Sequence, residues 1–155
     1  MDYRVKIVEP EELVEPLLGL LEEAQTVPLA ISGSSMAPFL AETRDTVYLS
    51  KADGLLKRGD MAFYRRDNGR YILHRVYRVE NGLYTMVGDA QTMLEPGIRP
   101  DQICAVVTAV RRKGKLLQNG SFWWFFFERI WIRVVPLRPA VMKGYALIKR
   151  LLVRQ

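Results

Sequence analysis

A chain of 155 residues that is 49% hydrophobic and 26% charged can bury one substantial core, leaves little room for a second, and is not disordered in composition. One cysteine, Cys104, and one histidine, His74, exclude an internal disulfide and a zinc-type ligand cluster, so the sequence calls for no metal and no cofactor. The formal charge of +6 is concentrated: from Ser121 to Gln155 seven basic residues (Arg129, Arg133, Arg138, Lys143, Lys149, Arg150 and Arg154) meet one acid, Glu128, and the rest of the chain is balanced.

At the start, Asp2, Arg4, Lys6 and Glu9 fall where a secretory signal needs an apolar stretch, so the expectation is a chain that begins in the cytosol and is not exported by a cleaved signal. From about Pro10 to Thr26 the pattern is that of an amphipathic helix. Glu11 and Glu12 favour its first turn, and Leu13, Leu17, Leu20 and Leu21 recur at helical spacing. After Pro28 the period shortens to that of strands: Thr46–Ser50, Met61–Tyr64, Tyr71–Val79, Leu83–Val87 and Ile103–Val110, with turn signals at Asp67-Asn68-Gly69 and Glu80-Asn81-Gly82. Cys104 lies inside the last of these strands, where a buried, inert thiol is expected. Strands at this spacing predict a compact, twisted, mostly-β (α+β) domain. The chain divides into a helix at 1–26, a β-domain at 27–115 and a basic, aromatic-rich tail at 116–155.

The tail does not read as a membrane span. Its longest apolar run, Phe122 to Pro136, contains Glu128, Arg129 and Arg133, each expensive at bilayer depth. Aromatic residues such as Trp123, Phe125 and Trp131 beside Lys and Arg are the composition of an interfacial segment on an anionic membrane rather than of a nucleic-acid reader. A helical cap on the β-core or on a second subunit is the other reading. Ala140 to Val153 resumes a helical pattern among basic residues.

Chemistry can be sought in three places. Ser32-Gly33-Ser34-Ser35-Met36-Ala37-Pro38 leads from a strand into an apolar turn, where a serine can present its hydroxyl and its own amide at one point; a solvated loop is the alternative. His74 shares a strand face with Ile72 and Val76, opposite Tyr71, Leu73 and Arg75, and is either a general base or a satisfied structural residue. Asp89, one hairpin away, or Glu95, six residues on, could orient its imidazole, although an aspartate after glycine is often a turn residue.

These residues resemble the signal-peptidase superfamily of serine proteases. Ser34-Ser35-Met36-Ala37-Pro38-Phe39-Leu40 is similar to its nucleophile box, Gly59-Asp60-Met61-Ala62-Phe63-Tyr64 to its Gly-Asp strand, Leu73-His74-Arg75-Val76 to the box of the general base, and Gly88-Asp89 to its late Gly-Asp box. The match runs from about Val27 to Val110. It implies a β-domain of the signal-peptidase and LexA-like type with Ser35 as nucleophile and His74 as base. The histidine corresponds to the Ser-His variant of archaeal and endoplasmic-reticulum enzymes rather than the Ser-Lys dyad of most bacterial ones. The catalytic acid falls on Asp89 or Glu95. Gly33 stands where some relatives carry a serine that helps the oxyanion hole, which leaves the Ser35 amide, aided by Ser32 or Ser34, with Met36 and Pro38 completing the substrate-binding box. The segment from Glu11 to Glu23 occupies the place of the family's spanning helix. The resulting expectation is a serine endopeptidase that cleaves an extended peptide or precursor protein, peripheral to the membrane on its cytoplasmic side. A catalytically inactive peptide-binding or scaffold module on the same fold is the alternative.

Overall fold

The computed structural model describes residues 10–23 and 25–153. Asp2, Arg4, Lys6, Glu9 and Arg154, which entered the reading of charge and targeting, lie outside the described residues. Helix α1 (Pro10–Glu22) is followed by strands β1 (Val27–Ala30), β2 (Thr46–Ser50), β3 (Met61–Arg65), β4 (Tyr71–Glu80), β5 (Leu83–Val87), β6 (Glu95–Ile98), β7 (Ile103–Arg112) and β8 (Lys115–Gln118). A short helix α2 (Phe122–Phe125) then runs through a π-helical turn and two 3-10 turns into the long helix α3 (Arg138–Val153). The molecule is an α+β protein built on one antiparallel sheet of eight strands in the order β1-β2-β7-β3-β4-β5-β6, with β8 paired to β7.

The two faces of the sheet follow from side-chain alternation. Met61 and Phe63 of β3 enter a core shared with Val14, Leu17 and Leu21 of α1 and with Phe39, Phe127 and Trp131. Ala62 and Tyr64 point to the other face, where Val76, Tyr84, Met86 and Ile98 gather. Four consecutive residues of β3 are buried because both of its faces are covered. In α1 the stripe that packs is Val14, Leu17 and Leu21, whereas Leu13 and Leu20 face outward. The expected turns form at the predicted places. Asn81-Gly82 and Lys113-Gly114 each carry two consecutive positive φ angles, which suits the right-handed twist of the strands they join.

The tail is not one unit. Its first half belongs to the domain: Trp124, Phe127, Trp131, Ile132, Val135 and Arg138 are buried, and β8 extends the sheet beyond the 115–116 division that composition suggests. The expectation of a helical cap on the β-core holds for this half. From Pro139 onward every described residue of α3 is exposed.

Candidate active site

His74 occupies the middle of β4, opposite Ala62 of β3, on the face predicted by alternation. It is 3% exposed. Tyr64 lies on the same face of β3, and its hydroxyl is 3.3 Å from His74 Nδ1 while donating a 2.7 Å hydrogen bond to Glu95 Oε2. Glu95, the first residue of β6, reaches within 3.9 Å of Nδ1 and accepts a bidentate pair from Arg66, both contacts at 2.7 Å.

A phenol has one proton. With that proton committed to Glu95, the Tyr64 oxygen can only accept at its other contact, so Nδ1 carries the ring hydrogen. The lone pair is then on Nε2. Among the described residues Nε2 has no hydrogen-bond partner, although the His74 side chain is only 4% exposed.

Burial pushes the imidazole pKa down from 6.5 to about 4, against the smaller opposing pull of Glu95. The ring is therefore neutral at physiological pH, the form a general base must have. Burial also acts against the Glu95 carboxylate, but Arg66 and the Tyr64 hydroxyl outweigh it and hold its pKa below the ordinary value. Burial and then Glu95 raise the Tyr64 phenol pKa, so it stays protonated.

The Ser35 turn docks at the end of β5. Val87, the last residue of β5, pairs with Arg75, the neighbour of His74. Immediately after it, the Ala90 amide donates to the Ser35 carbonyl at 2.9 Å. A Cβ on Gly88 would lie 2.5 Å from that same carbonyl oxygen, so only glycine allows the turn to seat there. The turn is fixed from behind: Met36 and Phe39 are buried in the core, and Arg112 donates to the Phe39 and Pro38 carbonyls. Asp45, which accepts from the amides of Ala41 and Lys113, closes the loop. Among the described residues no backbone N–H from Ser32 to Met36 donates to a partner. The amides of Ser35 and Met36 thus have no partner among the described residues, and Met36 is buried. Ser32, Gly33 and Ser34 are exposed, and Ser35 is half-buried. Among the described residues no hydrogen bond joins Ser35 Oγ to His74.

The structure separates the two candidate acids. Asp89 is fully buried, and its carboxylate is bidentate to Arg75 at 3.0 and 2.9 Å. Arg75 projects to the face opposite His74, over the Phe39 ring, so Asp89 serves that ion pair and makes no hydrogen bond to the imidazole. Glu95 is the acid next to His74, with Tyr64 between them.

Sequence reasoning did not single out Tyr64 or Arg66. Tyr64 alternates as an ordinary core residue, and only the β3–β4 register brings its hydroxyl to His74. It assigned Trp131 and Arg138 to an interfacial tail, but both are buried: the Trp131 indole N–H donates to the Asp89 carbonyl at 2.8 Å, and Arg138 donates to the carbonyls of Gly88, Gln91 and Trp131. Cys104, expected to be buried, is half-buried, and burial raises its pKa. Compared with known proteins, the chain matches no family model, no curated protein and no solved structure.

Proposed function

We propose that the protein is a serine endopeptidase of the signal-peptidase type, with Ser35 as nucleophile, His74 as general base and Glu95 as the acid that orients the base through Tyr64. The observation that carries this reading is the environment of the lone histidine. A buried, neutral imidazole has its Nδ1 side engaged by Tyr64 and Glu95 and its Nε2 side unpartnered. A structural histidine would be expected to satisfy both nitrogens.

In the reaction His74 Nε2 takes the Ser35 hydroxyl proton as Oγ attacks the scissile carbonyl. The tetrahedral oxyanion is met by the Ser35 and Met36 amides, each donor typically worth roughly 3 kcal/mol. His74 then returns the proton to the leaving amine, and water, activated in the same way, releases the acyl group from Ser35. The substrate is an extended segment of a peptide or precursor protein, added as a strand to an open sheet edge. β1 ends the strand order and runs directly toward the Ser35 turn, which makes it the natural edge.

Labelling with a serine-directed acylator, such as a lipopeptide or β-lactam-like electrophile, read by intact mass and peptide mapping, tests the assignment. One adduct on Ser35, absent in Ser35→Ala and His74→Ala variants that remain folded, is expected. A folded protein that takes no adduct, or takes one elsewhere, would overturn catalysis and favour the peptide-binding module.

A further inference from the structure

Among the described residues from Phe122 onward, the exposed side chains are either apolar or aromatic, or positive. The inner half of the aromatic segment fills the core, but Phe122, Trp123, Phe125, Ile130 and Leu137 are 45–67% exposed. Farther on, α3 presents Val141, Tyr145, Ile148 and Leu152 at helical spacing along one stripe. All four are exposed, and no described residue covers them. Rings and aliphatic chains on this scale exceed the scattered surface hydrophobes of an ordinary domain.

The charges decide what covers them. Arg129, Arg133, Lys143, Lys149 and Arg150 are all exposed, whereas Glu128, the segment's only acid, is buried. A second copy of this surface would set like charges against one another. A nucleic acid would leave the apolar stripe in water. An anionic bilayer satisfies both properties, taking the rings and aliphatic chains below the headgroups and the guanidinium and ammonium groups among them. Among the described residues no helix is long and apolar enough to cross a membrane, so the geometry required is one of lying on the surface.

We propose that the outward side of the aromatic segment, together with the apolar stripe of α3, is a docking surface for an anionic lipid bilayer. The surface is not a loose tail. Its buried roots, Trp131 and Arg138, donate to the carbonyls of Gly88, Asp89 and Gln91, in the loop against which the Ser35 turn is seated. Lipid contact and that loop therefore belong to one piece of structure, whatever the Ser35 turn does chemically.

Co-sedimentation of the full chain with vesicles of phosphatidylcholine, with and without phosphatidylglycerol, tests the proposal. The expected result is pelleting with the anionic vesicles, at least roughly tenfold weaker with pure phosphatidylcholine or in high salt, as several basic residues near a charged surface require. Ile148→Glu/Leu152→Glu and, separately, Leu137→Glu change only exposed positions, and each should weaken pelleting while leaving circular dichroism and thermal unfolding as in the parent. A chain that stays in the supernatant with both vesicles, or variants that pellet like the parent, would overturn it. So would a lipid-indifferent dimer, seen by sedimentation equilibrium, that these substitutions dissociate, because the stripe would then be covered by a second copy.

Discussion

Tyr64, Glu95 and Asp89 illustrate how much of a carboxylate's role depends on its partner. Asp89 and Arg75 form a pair with essentially no exposure, so removing one charge leaves the other buried and uncompensated. Asp89→Asn is expected to cost about 3 kcal/mol of stability in chemical denaturation, and any loss of activity should follow from misfolding. Glu95 is about a quarter exposed and its partner Arg66 about a third. Glu95→Gln should therefore lower stability by about 1 kcal/mol or less yet slow acylation of Ser35 by more than roughly tenfold. Tyr64→Phe removes the hydroxyl that fixes the imidazole tautomer and is expected to slow acylation roughly tenfold, the equivalent of one hydrogen bond. If Asp89→Asn proved stable and selectively inactive while Glu95→Gln labelled normally, the acid would have to be reassigned.

His74 also sets a pH dependence. Its folded pKa, about 4, lies below the ordinary 6.5, so between these values the unfolded chain binds a proton that the folded one refuses. The stabilising contribution is complete above about pH 6.5 and is lost as pH falls toward 4, by up to about 3 kcal/mol. Denaturation curves across this window should show that slope in the parent and not in His74→Ala. The acylation rate should stay level from neutral pH down to about 5 and fall below it, as the base becomes protonated. An inflection near 6.5 would mean that the imidazole is not desolvated as the structure has it.

Among the elements, β4 was the most legible. Its strict alternation places Ile72, His74 and Val76 against one core and Leu73 and Arg75 against the other, as the pattern alone requires. β1, β6 and β8 were harder to see. Pro28 interrupts β1, and Pro96 and Gly97 occupy β6, tolerated because β1 and β6 end the strand order. The segment after β8 looked separable because it is basic and aromatic, but half of its aromatic groups complete the core. A chain ending at Lys115 would lose β8 as well as Trp124, Phe127 and Trp131, and is expected not to fold. One ending at Pro139 keeps every buried group of the segment and should unfold with a midpoint close to that of the full chain. Circular dichroism of the two truncations distinguishes them. Within this segment Arg138→Ala leaves the Gly88, Gln91 and Trp131 carbonyls without their donor, at a cost of about 3 kcal/mol, and should loosen the loop that seats Ser35.

For the whole molecule, composition and period were sufficient to determine a single α+β domain: one core's worth of apolar residues, five strands near their observed limits and a helix before them. They also drew notice to the lone His74 and to the Ser-Gly turn from Ser32 to Ser35, but the choice of Ser35 within that turn came from the resemblance to the nucleophile box. What the chain's order could not express was register and the choice of face. The partner of a carboxylate is set by which strand lies alongside and by how many residues it is shifted. Asp89 joins Arg75 because β4 pairs with β5 in the register observed, and Glu95 joins His74 because β6 continues that sheet beyond β5 while β3 brings Tyr64 alongside. Likewise, composition marked the tail as aromatic and basic, but only tertiary packing decided which rings the core absorbs and which remain for water or lipid. Local pattern records periodicity, a property of neighbours in sequence; partner choice depends on contacts between residues far apart in the chain, which exist only once the sheet has closed.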